Sequence, residues 1–131
     1  MARYEHLPIY RDAFDLCLYF EKLVRGMPRY DKYTLGADIR NLSREVLRLI
    51  IRANSEEDRR ATLRDLRAKV EELKVVLRLA REGGAIARAR SYEFACGKAV
   101  AIGRQNEGWL ASQVKAGRPE SRTEKPGRER A

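Results

Sequence analysis

Residues Thr34 to Ala53 read TLGADIRNLSREVLRLIIRA, and the spacing inside this stretch decides the fold class. Leu35, Ile39, Leu42, Val46, Leu49 and Ala53 recur at intervals of 4-3-4-3-4, a period that aligns them on one side of a helix and on neither face of a strand. Leu47, Ile50 and Ile51 widen the stripe. Arg40, Arg44, Arg48 and Arg52 stand four apart in the same stretch, so they stack as a ridge along one helix flank. A helix with an apolar stripe and a basic ridge needs other elements to cover the stripe.

The flanking sequence supplies them. Upstream, Pro8 to Arg25 reads as a first helix, with proline in the opening turn and Gly26-Met27-Pro28 as its stop. Its seam is read as Tyr10, Phe14, Cys17, Glu21 and Val24 with Leu18 beside them, which leaves Leu16, Tyr19 and Phe20 as further apolar surface. Downstream, Ser55-Glu56-Glu57-Asp58 resembles a capping arrangement and predicts a third helix from Ser55. Leu63, Leu66, Val70, Leu73, Leu77 and Ala80 form its seam, Val75, Val76 and Leu79 widen it, and Gly83-Gly84 stops it. A fourth helix has less contrast. Tyr92, Ala95, Cys96, Ala99, Ile102 and Trp109 share one side, and Ala95, Gly97, Ala99, Ala101 and Gly103 predict close packing.

Four helices with short connections predict an all-α, up-down-up-down four-helix bundle over residues 1–116. Residues 117–131 contain Pro119, Pro126 and many charges but no large apolar side chain, and are expected to be a disordered tail. The apolar surface exceeds what one seam needs. A wide core and a subunit interface both account for the surplus.

Charge narrows the function. The 131 residues include 28 Lys and Arg against 19 Asp and Glu, a net charge of +9. Residues 1–116 hold 23 of the basic and 16 of the acidic residues, so +7 belongs to the predicted bundle. A basic excess of this size points to nucleic acid or another acidic partner, although arginine-rich solvated faces would produce the same count. The third helix adds Arg60, Arg64, Arg67, Lys74, Arg78 and Arg81 at 4-3-7-4-3 spacing, with Glu71 in the gap. Arginine donates through a planar fork that fits phosphate, which makes both rows candidate phosphate contacts; an ordinary solvated face is the plain alternative. Tyr30 and Tyr33 alternate with cations in Arg29-Tyr30-Asp31-Lys32-Tyr33. Such rings either stack on unpaired bases or close the end of a bundle.

Other classes fall away. No 18-residue apolar run and no apolar segment after the N-terminal Arg3 argue against a membrane span or a secretory leader, so a cytoplasmic protein is expected. One histidine, His6, and two distant cysteines, Cys17 and Cys96, give no metal-site spacing and no disulfide framework. The acid clusters, Asp12 with Asp15 and Glu56 to Asp58, occupy a first turn and a cap, where acids are ordinary. Neither catalysis, a metal nor a cofactor is expected.

Several stretches together resemble the Avd family, the accessory variability determinants of diversity-generating retroelements, which is related to bundle proteins encoded in intervening sequences of ribosomal RNA genes. They are Pro8-Ile9-Tyr10, Met27-Pro28-Arg29 to Leu35-Gly36, Glu72-Leu73-Lys74 to Leu77-Arg78-Leu79-Ala80, and Ala85-Ile86-Ala87 before Tyr92. Most specific is Ile102-Gly103-Arg104-Gln105-Asn106-Glu107-Gly108-Trp109, which is similar to the family's I-G-R-x-x-x-G-W signature. The likeness covers about residues 5–115. It implies a four-helix bundle that assembles as a homopentameric barrel with a basic pore and exterior. It also implies binding to the retroelement's reverse transcriptase and to template RNA, and possibly DNA, without catalytic activity, in support of mutagenic cDNA synthesis. By position, Lys74 and Arg78 match basic residues of the family's third helix and Arg104 matches the arginine of the signature. The high arginine content and the charged tail depart from the family pattern.

Overall fold

A computed structural model of the chain describes residues 3–115. After a 3-10 turn at Arg3–His6 come four long helices: α1 (Pro8–Arg25), α3 (Leu35–Ser55), α4 (Arg60–Glu82) and α5 (Ala89–Lys115). A single helical turn, α2 (Arg29–Lys32), lies in the first connection. Among the described residues there is no strand. Packing runs α1 on α3, α3 on α4, α4 on α5 and α5 back on α1, the ring of neighbours that an up-down-up-down bundle requires. The predicted tail at 117–131 lies outside the described residues.

The seams of α3 and α4 are those the spacing predicts, except that Leu35, at the start of α3, is only partly buried against the core. Ile39, Leu42, Val46, Leu49 and Ala53 are buried, with Ile50 beside them, and so are Leu63, Leu66, Val70, Leu73, Leu77 and Ala80. On α5, Ala95, Ala99 and Ile102 face inward, joined by Asn106 and Leu110. Each fully buried Leu, Ile or Phe contributes about 1.5–3 kcal/mol relative to an exposed one, so the shared core outweighs any single surface interaction.

Helix α1 departs from its predicted register. Its buried residues are Ile9, Ala13, Leu16, Phe20 and Val24, whereas Phe14 and Leu18 are 42% and 52% exposed. Apolar residues populate more than half of this helix's circumference, so spacing alone allows two seams. The seam containing Glu21 would have buried a carboxylate. Turning the helix by one residue buries Phe20 instead and frees Glu21 for the flank facing α3. The surplus apolar surface on α4 is similarly divided: Val76 packs on the core, and Val75 and Leu79 are 61% and 57% exposed.

The third predicted helix also starts later than Ser55. Ser55 ends α3, with its hydroxyl donating to the Arg52 carbonyl at 2.8 Å, and α4 begins at Arg60. The N-cap position, Arg59, makes no side-chain cap hydrogen bond, but Asp58 just before it accepts from the Arg60 backbone N–H at 3.3 Å. Glu56 accepts from the Thr62 hydroxyl at 2.6 Å. At the opposite end, Gly84 has φ of +92°, a left-handed conformation that turns the chain from α4 towards α5.

Glycines fill different needs. At Gly36, a Cβ would lie 2.7 Å from Val24 Cγ1, 3.2 Å from the Asp31 carbonyl oxygen and 3.3 Å from Met27 Sδ, so the start of α3 is wedged against the first connection. Gly97 contradicts the predicted close packing within the bundle, since a Cβ there meets nothing within 4 Å, and Gly108 is equally open. Gly103 sits at an ordinary 3.7 Å from Val70. Gly36→Ala is therefore expected to destabilise the fold by about 1–3 kcal/mol, although alanine is the better helix former. Gly103→Ala should be neutral or stabilise it by up to about 1 kcal/mol. Urea unfolding of the two variants against the parent measures the contrast.

Candidate nucleic-acid and partner interface

The arginine ridge of α3 is not a bare phosphate-binding row. Arg40 Nε and Arg44 Nη2 both donate to the Glu21 carboxylate of α1, at 3.1 and 2.6 Å. Arg48 pairs with Glu45 at 3.1 Å, and Arg52 pairs with Glu56 at 3.5 Å and Asp65 at 3.9 Å. A shared carboxylate offsets the repulsion between arginines one turn apart, and it clamps α1 to α3. Burial alone would raise the Glu21 pKa. The hydrogen bonds and charges of Arg44 and Arg40 more than reverse this and hold it below the ordinary glutamate value.

The row on α4 is divided among several tasks. Arg60 is 3% exposed, with its guanidinium on Asp58 at 3.0 Å, and lies inside the fold rather than on a face. Arg64 is exposed. Arg67 makes a bidentate pair with Glu107 of α5, both contacts 2.7 Å, which raises the arginine's pKa and lowers the glutamate's. Lys74 pairs with Glu71 and Arg78 with Glu82, each at 2.7 Å. Arg81 donates to the Ile86 and Ala87 carbonyls at 3.1 Å and fastens the turn between α4 and α5.

Four of the candidate residues nevertheless converge. Arg67, Lys74, Arg78 and Arg104 line the groove between α4 and α5, in two hollows of about 520 and 350 Å³ that share Lys74. The groove's walls are apolar where Val75, Leu79, Tyr92 and Val100 meet it. Arg104 is exposed on α5 and makes no ion pair among the described residues. The last-helix motif thus splits by face. Ile102 and Asn106 point inward, with the Asn106 amide donating to the Leu63 carbonyl at 3.0 Å, and Trp109 lies 5.3 Å from the Arg59 guanidinium. Arg104 and Gly108 are both exposed, and neither contributes to the core. The ridge Arg40, Arg44, Arg48 and Arg52 stays with α1 and the α3–α4 connection, away from this groove.

Spacing missed the partners that organise these cations. Glu21 was grouped with an apolar seam, and Glu107 stands forty residues from Arg67. A second cross-helix cluster was missed as well. Lys98 of α5 reaches Asp12 at 3.0 Å and Asp15 at 3.7 Å on α1, and Gln105 donates to Asp12 at 2.8 Å. Desolvation raises the Asp12 pKa, but the hydrogen bonds from Lys98 and Gln105 and the charge of Lys98 leave it lowered overall. Two acids at adjacent helix turns opposite a lysine were the available signal. Among the described residues, no three His, Cys, Asp or Glu side chains are grouped so as to hold a metal ion, and no helix is long and apolar enough to cross a membrane.

A family model described as bAvd-like matches residues 9–113, from the first turn of α1 almost to the end of α5. No curated protein matches the chain.

The shared carboxylate has a measurable consequence. The folded pKa of Glu21 is depressed, so its stabilisation is complete above the unfolded value and is lost as the pH falls through the folded one. Glu21→Gln is expected to lower stability at pH 7 by no more than about 1 kcal/mol, because the pair is partly exposed. Parent and variant should converge only at a pH below the ordinary glutamate range, once the folded carboxyl is protonated. Thermal unfolding followed across pH 3–7 checks both parts.

Proposed function

The chain belongs to the bAvd-like family, and from that premise we propose that it is a non-enzymatic accessory protein of a diversity-generating retroelement. It docks on the element's reverse transcriptase and holds template RNA, or the cDNA copied from it, in the cytoplasm while mutagenic copying proceeds. The observation that carries this reading is the α4–α5 groove. The family-matched Lys74, Arg78 and Arg104 meet there beside exposed Val75, Leu79 and Val100. Cations next to apolar surface suit a place where protein and nucleic acid are held together.

The working form is a homopentameric barrel. Exposed apolar residues lie on two different edges, Phe14 and Leu18 on α1, and Val75 and Leu79 on α4. Unlike edges favour head-to-tail contacts that close into a ring, and the subunit number of five comes from the family resemblance. Gly97 and Gly108, open on the outer side of α5, let a neighbouring copy approach the backbone. A second reading is a structural oligomer with no direct nucleic-acid role. It draws on the ion-paired state of Arg40, Arg44, Arg48 and Arg52, whose forks are already occupied by acids.

The full chain is expected to have a mass in solution of five times 15.1 kDa. Leu79→Glu should reduce it to the single-chain mass with unchanged helicity, as the side chain lies outside the core. Lys74→Glu with Arg104→Glu should keep the assembly and the capture of the reverse transcriptase, and weaken template-RNA binding about tenfold or more at low salt. Intact assembly with RNA binding that is absent or independent of salt would favour the second reading. A chain that is monomeric at all concentrations overturns the barrel.

A further inference from the structure

Cations without an acidic partner are unevenly distributed. Along the middle of the bundle, Arg40, Arg44, Arg48, Arg52, Arg67, Lys69, Lys74, Arg78 and Lys98 each have a carboxylate within 4 Å, with Arg11 and Arg104 as exposed exceptions. At the end where α1 leads into α3 and α4 into α5, the pattern changes. Lys22, Arg25, Arg29 and Lys32 come from the first connection and its approach, Arg88 and Arg90 from the second, and none makes an ion pair among the described residues. Asp31 is the one acid between Lys22 and Thr34, and Gly83 to Ser91 contains none. Glu82, next to that turn, is held by Arg78, and Glu93 lies a turn further along α5.

The same end carries the two most exposed aromatic rings. Tyr30 is 84% and Tyr33 is 74% exposed, so neither closes the bundle, which removes the plainer of their two sequence readings. Between the two connections is an open cavity of about 600 Å³, lined by Lys22, Gly26 and Pro28 on one side and Gly84, Arg88 and Ser91 on the other. Its walls are fastened. Arg81 grips the Ile86 and Ala87 carbonyls, the Ile86 N–H bonds to the Ala80 carbonyl at 3.0 Å, and the Thr34 hydroxyl donates to the Tyr30 carbonyl at 3.0 Å.

We propose that this end of the bundle is a binding site for single-stranded nucleic acid, with Tyr30 and Tyr33 stacking on bases and Arg25, Arg29 and Arg88 holding phosphates. Unpaired cations are available to phosphate without first breaking an internal pair. Exposed rings beside them offer faces to bases, and only an unpaired strand has free base faces to stack on them. A duplex could use the cations but not the rings, so the site distinguishes the two forms. The proposal rests on the nucleic-acid part of the functional reading and assigns it a place distinct from the α4–α5 groove.

Fluorescence anisotropy of the full chain with a labelled 12-nucleotide uridine-rich RNA, and with a duplex of equal length, tests it at several salt concentrations. Tyr30→Ala with Tyr33→Ala is expected to weaken single-strand binding at least tenfold and leave the thermal midpoint unchanged, and Tyr30→Phe with Tyr33→Phe should stay within about twofold of the parent. Arg25→Gln, Arg29→Gln and Arg88→Gln together should flatten the logarithmic salt slope by about 2, the value for three single-strand phosphate contacts. Unchanged binding by the double alanine variant, or a duplex bound as tightly as the single strand, overturns the site while leaving the functional reading standing. If the parent binds neither RNA, the site and the nucleic-acid role fall together.

Discussion

The stripes of α3 and α4 cannot remain in water, and covering both at once constrains the rest of the molecule. Two such helices leave a trough that only two more can roof. The roofing helices must turn their largest apolar side chains inward, so α1 commits Phe20 and Leu16 rather than Phe14 and Leu18. Helix α5 fits its place with small residues, Ala95 and Ala99, ahead of Ile102. The seams leave the flanks for charge, and several of the charged residues there reach across to a neighbouring helix. There the cheapest arrangement is an acid from one helix between cations of the next, as with Glu21 between Arg40 and Arg44 or Asp12 against Lys98.

Charge density in the sequence and available charge on the surface are therefore different quantities. Arginine is most regular along α3, yet the fold neutralises it there. The α1–α3 and α4–α5 connections, where no regular spacing drew attention, keep their cations unpaired because few acids lie within reach, unlike the acid-rich α3–α4 connection. Where the chain is helical on both sides, a cation's neighbours come from two helices. In a turn they come mainly from the turn itself, and these turns hold little acid.

The fold was largely legible because a 4-3-4-3 period over twenty residues admits few other interpretations, and the seams of α3 and α4 were read residue by residue. The register of α1 was not, since Tyr10, Phe14 and Leu18 compete on equal terms with Ile9, Leu16 and Phe20 until their neighbours are known. Ser55 misled for a related reason. A serine followed by acids is compatible with a helix start, and also with a helix end whose hydroxyl bonds back into the last turn, as occurs here. Of the α4–α5 groove, the lining residues Lys74, Arg78 and Arg104 stand out in the sequence through the family resemblance, whereas the pairing of the α3 ridge depends on Glu21, nineteen residues from Arg40. The short α2 turn left no periodic trace because four residues make too brief a pattern.

An even number of antiparallel helices gives the bundle two unlike poles, with the basic α1–α3 and α4–α5 connections, the first of them bearing Tyr30 and Tyr33, at one of them. In a ring of the proposed type, rotation about a single axis carries each copy into the next, so every copy presents that pole to the same side. Individually weak contacts would then gather on one rim, and a strand long enough to reach several poles would be held with an avidity far above that of one site. Such a rim measures length. A short oligonucleotide would exchange quickly among neighbouring poles of such a ring while a long strand stayed bound, and no single pole would need to hold it tightly.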